Sequence, residues 1–195
     1  MKVIGITGGV GSGKSEVLRI MEEQFGCRII RTDDVAKELC RKGKAAYIQV
    51  VKNFGADVLD GEGEIDRKKL ADIIFQDPSR REQLNHCIHP EVFTWLREEM
   101  THLKAEGKVS LVAVEAALAK ELQTVGICDE IWYVYADPKV RRERLKASRG
   151  YSDEKIDAMF AAQLSEEAFQ KACSETIDNS GDLDSLTRQL TARIG

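Results

Sequence analysis

Residues 8 to 15, Gly-Gly-Val-Gly-Ser-Gly-Lys-Ser, restrict what this 195-residue chain can become more than any other stretch. The apolar residues Val3, Ile4 and Ile6 run into them as a buried strand would, and Val17, Leu18 and Met21 follow at helical spacing. A strand, a turn of the pattern GxxxxGKS and a helix, in that order, predict a loop whose backbone N–H groups curl around a polyphosphate. Glycines suit it because side chains would fill the space the phosphates take. On this reading Gly9, Val10, Gly11, Ser12 and Gly13 form the cradle. Lys14 brings a point charge to the β- and γ-phosphates, Ser15 offers a hydroxyl to Mg²⁺, and the helix opening near Lys14 turns its positive end toward the anion. A glycine-rich turn that binds nothing would not explain why every motif position is filled. The expectation is a nucleoside triphosphate site.

Composition narrows the partners. A formal net charge of -4 and a pI near 5.5 exclude a general nucleic-acid binder, which needs clustered positive charge. No apolar run reaches the eighteen or so residues of a membrane span. The first strand starts at once, which leaves no room for a signal or transit peptide. The expected place is therefore cytoplasmic, with no membrane partner, and the expected assembly a monomer or weak homo-oligomer. Five cysteines without a CxxC pair (Cys27, Cys40, Cys87, Cys128, Cys173) read as reduced and partly buried rather than as a disulfide framework.

The first helix is expected to run from about Lys14 to Phe25 and stop at Gly26, with Cys27 to Ile30 as a second strand. Asp33 and Asp34 follow its carboxyl end, where open α/β sheets place ligands. A phosphotransferase needs a carboxylate there to accept the proton of an attacking hydroxyl. Asp33 is the candidate base, and Asp34 reads as the N-cap of a helix beginning near Val35. Residues 35 to 54 read as two helical pieces around Gly43, followed by a turn-rich loop to Asp66. Asp60 to Gly63 fits DxxG, but the chain has no NKxD to read guanine, so a surface turn is expected. Further helices should cover Arg67 to Phe75 and the stretch from Pro78 to Leu103, with Pro90 kinking or dividing the latter. Such a length between two strands exceeds an ordinary crossover. Residues 34 to 107 therefore read as a helical insertion that holds the phosphoryl acceptor.

His86, Cys87 and His89 lack the further ligands a closed zinc site needs, and His89 reads better as a substrate contact or a local hydrogen bond. Val109 to Val114 is a buried strand ending at Glu115, a carboxylate that either stands in water at the rim or lies near metal and substrate. A short helix to Val125 and a strand from Ile131 to Tyr135 should follow. Pro138 then opens a helix carrying Arg141, Arg142, Arg144, Lys146 and Arg149, which is either a solvated face or a lid bringing an arginine, Arg149, to the transferring phosphoryl group. Ser152 to Phe169 reads as one helix, Thr176 and Ile177 as a last strand, and Asp178 to Gly181 as a turn into a final helix. The fold class expected is α/β, a three-layer fold with a parallel five-stranded sheet. It would form a single domain over residues 1–195, with the insertion at about 34–107 and a lid at about 138–168.

In their order these pieces resemble the dephospho-coenzyme A kinases, a family of P-loop kinases. The resemblance covers nearly the whole chain and rests on Gly5 to Ser15, Asp33 with Ala36, Gly63-Glu64-Ile65-Asp66-Arg67 and Leu70, Ile74-Phe75, Leu84, His89-Pro90, Gln163 with Ser165-Glu166-Glu167, and Ile177-Asp178-Asn179-Ser180-Gly181. It implies ATP and Mg²⁺ as cofactors and dephospho-coenzyme A as the acceptor, phosphorylated on its ribose 3′-hydroxyl. Asp33 would be the general base, Lys14 and Arg149 would stabilise the transferring group, and Asn179 would lie by the adenine. Arg67, His89, Glu115 and Leu118 would contact the acceptor. The family's usual motif after the third strand is altered to Glu115-Ala116-Ala117-Leu118-Ala119-Lys120-Glu121, and Arg31 and Lys37 stand where the family has aspartate and arginine. The family's lid arginine falls at Ser148, with Arg149 one place later. One residue turns a helical side chain by about 100°, so Arg149 can serve only if the helix ends near Ser148, as Gly150 allows. The competing readings are another small-molecule or nucleotide kinase and a regulatory ATPase.

Overall fold

The computed structural model describes residues 1–116, 121 and 125–195. Five strands, β1 (Lys2–Thr7), β2 (Arg28–Arg31), β3 (Leu111–Glu115), β4 (Glu130–Tyr135) and β5 (Glu175–Asp178), form one sheet in the order β2-β3-β1-β4-β5. β1 pairs in parallel with β3 and with β4, and β4 with β5. Val3 to Thr7, Leu111 to Val114 and Ile131 to Val134 are buried without alternation, as strands covered on both faces must be. Ile6 stands opposite Glu115, and Thr7 opposite Tyr133. The carboxyl ends of the three central strands thus open on the edge where the glycine-rich loop leaves β1.

The described helices are α1 (Lys14–Phe25), α2 (Thr32–Leu39), α3 (Ala45–Phe54), α4 (Arg67–Gln76), α5 (Pro78–Glu106), α6 (Pro138–Arg149), α7 (Asp153–Ala161), α8 (Glu166–Ala172) and α9 (Leu183–Ile194). Leu18 and Met21 of α1 and Leu186 and Leu190 of α9 share one core with Ile4, Ile6, Trp132, Val134 and Ile177. Tyr133 points to the opposite face by the two-residue alternation of a strand. There its ring stacks on Phe169 of α8, with centroids 4.7 Å apart and planes 4° from parallel. Helices on both faces of a parallel sheet make the expected three layers.

The chain divides into two compact units, Met1–Ile30 with Leu103–Gly195, and Arg31–His102. The second has its own core of Val50, Val58, Leu70, Leu84 and Cys87. Its DxxG segment is a tight turn: the Asp60 carboxylate accepts from the N–H groups of Glu62 and Glu64, both at 2.9 Å. Asp66 then caps α4 by accepting from Lys68 and Lys69. His86 Nδ1 lies 2.8 Å from the Glu82 carbonyl, a local contact along its own helix. All five cysteines are free. Burial pushes the Cys27 and Cys128 thiols up to about 12 and Cys173 to about 11.

Several boundaries differ from expectation. α2 begins at Thr32 with Arg31 as its N-cap, so Asp34 is not the cap; Asp33 and Asp34 both occupy the first turn, where carboxylates suit the positive end of the helix. Pro90 does not divide its helix, because α5 continues from Pro78 to Glu106 through it. A single proline removes one ladder bond, and Leu84, Cys87, Val92 and Leu96 are buried on either side of it. Residues 152 to 169 are two helices rather than one: α7 ends at Ala161, and Ser165 starts α8 by accepting from the Ala168 N–H. Helix α6 includes Ser148 and Arg149 and stops at Gly150, which takes the left-handed conformation at φ 62°. Leu118, expected to touch the acceptor, lies outside the described residues, as does most of the short helix expected before Val125. Among the described residues no helix is long and apolar enough to cross a membrane.

Candidate active site

The loop between β1 and α1 is held by groups distant in sequence. Gly13, at φ 85° immediately before the first helical residue, packs so tightly that an added Cβ would lie 2.1 Å from Asn179 Nδ2. That amide donates to the Ser12 carbonyl at 2.8 Å and is buried. Asn179 itself is placed by β5, its backbone N–H donating to the Tyr135 carbonyl at 2.8 Å. The structure thus sets Asn179 under the loop, with its amide engaged on Ser12.

On the other flank, Arg141 Nε donates to the Val10 carbonyl at 2.8 Å and Arg141 Nη2 to Gln163 Oε1 at 2.8 Å. Gln163 Oε1 also accepts from the Val10 N–H at 3.2 Å. Both polar groups of the Val10 backbone are therefore taken. The Arg141 guanidinium lies 4.2 Å from the Phe160 ring centroid, a cation–π contact, and its burial lowers the Arg141 pKa from its ordinary value. A Cβ on Gly9 would fall 2.5 Å from Arg141 Nη2 and 2.7 Å from Gln163 Oε1. Glycine at this position is a packing requirement, since any side chain would meet Arg141 and Gln163.

Lys14 Nζ donates to the carbonyls of Gly8 at 2.8 Å and Gly9 at 3.4 Å, folding the ammonium over the loop. Above it is a cavity of about 350 Å³ lined by Gly9, Val10, Gly11, Gly13, Lys14 and Ser15 from the loop, Glu115 from the end of β3, and Arg144, Ser148 and Arg149 from α6. Glu115, Lys14, Ser15 and Arg149, all expected at the site, are brought together around one space. Arg149 is exposed, and its guanidinium lies 6.0 Å from the Tyr151 ring centroid. A hydrogen bond from Arg149, with Lys155 close by, holds the Tyr151 phenol below its ordinary pKa. A second cavity of about 550 Å³ meets the loop at Gly8, Val10 and Lys14 and is otherwise lined by Ala162, Gln163, Leu164 and Phe169.

The other expected residues belong to the second unit. Asp33 is exposed in the first turn of α2, while its neighbour Asp34 pairs with Lys37 at 2.7 Å. Arg67 is the first residue of α4, and half-buried His89 meets Phe93 edge to face at 6.3 Å. Reading the sequence did not single out Arg141 and Arg144 from their cluster, nor assign Gln163 a place at the loop. Their signals were an arginine-rich helix and a glutamine within the lid segment.

The donor set fits a magnesium nucleotide. Mg²⁺ keeps most of its waters and takes one or two protein oxygens besides those of phosphate. Ser15 and Glu115 line the same cavity and provide such oxygens. Among the described residues no three His, Cys, Asp or Glu side chains gather to hold a metal by themselves.

Residues 2–185 match the family model described as dephospho-CoA kinase. The protein named dephospho-CoA kinase from Carboxydothermus hydrogenoformans is 35% identical over 190 residues, covering 97% of this chain and 91% of that one. A Thermus thermophilus crystal structure superposes with a TM-score of 0.77 at 31% identity, covering 99% of this chain and 96% of the other. Dephospho-CoA kinase from Campylobacter jejuni shares the fold with a TM-score of 0.69 at 22% identity, over 100% and 96% of the two chains. With the phosphate loop, the parallel sheet and these matches in agreement, the chain belongs to the dephospho-CoA kinase family, the transferases of the last step of coenzyme A synthesis.

Proposed function

We propose that the chain binds ATP with its phosphates in the cradle from Gly9 to Ser15 and transfers the γ-phosphoryl group to the ribose 3′-hydroxyl of dephospho-coenzyme A. The observation that carries the reading is the cavity in which the loop, Lys14 and Ser15 face Glu115 and two arginines of α6. Phosphoryl transfer asks a protein mainly for positioning and for positive charge around the equatorial oxygens. Lys14 leaves the carbonyls of Gly8 and Gly9 to reach the β- and γ-phosphates. Arg149 turns from Tyr151 toward the transferring group as the lid segment, residues 138–168, closes and excludes water. Ser15 would hold Mg²⁺, with Glu115 supporting it or the acceptor, and the ion would supply neutralisation of the negative charge on the phosphates. Asp33 accepts the proton of the attacking hydroxyl. Arg67 and His89 contact the acceptor on the helical insertion, and Asn179 serves the nucleotide by bracing Ser12. The protein acts in the cytoplasm as a monomer or weak homo-oligomer.

The test is ADP production by the purified chain with Mg-ATP and dephospho-coenzyme A, AMP, CMP, shikimate or no acceptor, with the product's mass measured. Stimulation by dephospho-coenzyme A alone, with one phosphate added to it, is expected. A chain that binds ATP but is stimulated only by another acceptor would turn the reading to a different small-molecule kinase.

A further inference from the structure

We propose that the cavity of about 550 Å³ beside the loop holds the adenine of the acceptor, and that the Gln163 amide is the polar group that meets it. The proposal rests on the reading of the chain as a kinase of an adenosine 3′-hydroxyl. Ala162, Leu164 and Phe169 give the cavity apolar walls, and Gly8, Val10 and Lys14 bound it on the loop side. Small-molecule sites have this size and this character, mostly apolar with a few oriented polar groups. Phe169 is a firm wall, buried and stacked on Tyr133. Leu164, in the connection between α7 and α8, is 40% exposed and leaves apolar surface in water for a ligand to cover. The oriented polar group is the amide of Gln163. Its Oε1 accepts from the Val10 N–H and from Arg141 Nη2, so two donors fix which end of the amide is oxygen. What the side chain offers the cavity is therefore its Nε2 with two N–H donors, suited to the ring nitrogens of a purine.

Position along the loop says whose base it is. Lys14 serves the β- and γ-phosphates, and the base of ATP stands beyond the α-phosphate, away from the transferring group. The cavity touches Gly8 and Lys14 but not Gly11, Gly13 or Ser15, which line the other cavity above the loop. It therefore opens at the γ end of the nucleotide. An attacking 3′-hydroxyl is carried on the same ribose ring as its base, so the acceptor's base must come to rest beside the Lys14 ammonium. Of the two cavities that reach Lys14, one is walled by Glu115, Arg144 and Arg149, whose charges a neutral ring would strip of water without replacing it. The other offers Leu164, Phe169 and one fixed pair of donors. A neutral, flat, apolar-faced base with acceptor nitrogens on its edge fits the second.

Calorimetry on protein saturated with Mg-ADP, so that the nucleotide site is filled, tests the assignment. Wild type, Leu164→Ser and Ala162→Trp are titrated with dephospho-coenzyme A and with AMP, which keeps the base and ribose and lacks the pantetheine arm. Both positions are exposed, so both variants should fold. AMP should bind the filled wild-type protein, more weakly than dephospho-coenzyme A. Leu164→Ser should weaken the two ligands by the same factor, about five- to thirtyfold, the worth of one apolar side chain against a ring. Ala162→Trp, which puts bulk where the base would lie, should weaken both by more than about a hundredfold. Mg-ADP affinity measured without acceptor should move by less than about twofold in either variant. Failure of AMP to bind while dephospho-coenzyme A does, or a loss confined to dephospho-coenzyme A, would place the pantetheine arm in the cavity and overturn the assignment. An equal loss of Mg-ADP would give the cavity to the base of ATP and overturn it too, as would both acceptor affinities kept in both variants. A wild-type chain that binds Mg-ADP but neither acceptor would overturn the reading of the acceptor itself, and the assignment with it.

Discussion

Replacing Gly13 with alanine tests whether the phosphate loop keeps its shape through Asn179. Gly13 has φ 85°, and an alanine held there costs about 1–2 kcal/mol from the clash of Cβ with the carbonyl. The new Cβ would stand 2.1 Å from Asn179 Nδ2, so the amide must withdraw, breaking its 2.8 Å bond to the Ser12 carbonyl. Leaving buried groups unpaired adds about 1–3 kcal/mol. Gly13→Ala should therefore cost about 2–5 kcal/mol and Asn179→Ala about 1–3 kcal/mol. In the double variant the clash is absent and the bond is lost only once. Its cost should match that of Gly13→Ala alone, a coupling of about 1–3 kcal/mol. For a chain of this length each kcal/mol moves the melting temperature by about 2–4 °C, so thermal unfolding of the four nucleotide-free proteins reads the cycle. Costs that add within about 0.5 kcal/mol would refute the reasoning, because independent sites add.

Asp33→Asn should cut kcat by at least about a hundredfold while leaving ATP affinity nearly intact, as expected for a general base; unchanged turnover would remove Asp33 from that role. Gln163→Ala loses the acceptor shared by the Val10 N–H and Arg141, and calorimetry should find Mg-ADP weakened by about five- to thirtyfold. The Glu130 carboxyl is held below its ordinary 4.5 by hydrogen bonds from Lys2 and Trp132. Its folded value being depressed, its stabilisation is complete above pH 4.5 and is lost as pH falls through that lowered value. Melting curves of Glu130→Gln should accordingly show a shallower acid-side decline than wild type; parallel declines would show that Glu130 does not carry it.

What the sequence made legible were the features dictated by the backbone itself. The run from Ile4 to Ser15 could be read because a phosphate cradle demands glycine at set intervals, a strand before it and a helix after it. The long interval without a strand between Arg31 and Leu111 could be read in the same way. Harder to see were residues whose meaning depends on where the chain returns. Arg141 reaches Val10 across 131 residues, and Gln163 reaches it across 153. In sequence Arg141 is one cation among several, and nothing local separates it from Arg142, which faces Asp153 and Asp157 instead. The helix break between Ala161 and Ser165 had a local signal, a serine before Glu166 and Glu167 in the position of an N-cap. It was masked by apolar spacing that runs through Phe169. The break matters because it releases Gln163 from a helix and lets its side chain meet the loop.

The same contacts explain why so glycine-rich a segment is ordered at all. Glycines leave a loop many conformations to lose on folding, and its own hydrogen bonds are few. Here the restraint comes from outside: the Val134 carbonyl closes over Gly8, Arg141 and Gln163 take both polar groups of Val10, and Asn179 holds Ser12. These braces come from β4, α6, the α7–α8 connection and the end of β5, so the loop's shape depends on the later part of the chain having folded against β1. One group remains to be exchanged, the Lys14 ammonium on the carbonyls of Gly8 and Gly9. An incoming anion must replace those carbonyl contacts. A polyphosphate, with several charges spread over the cradle and the helix N-terminus, can do so at small conformational cost to the loop, because the backbone around Gly8, Val10 and Ser12 is already held.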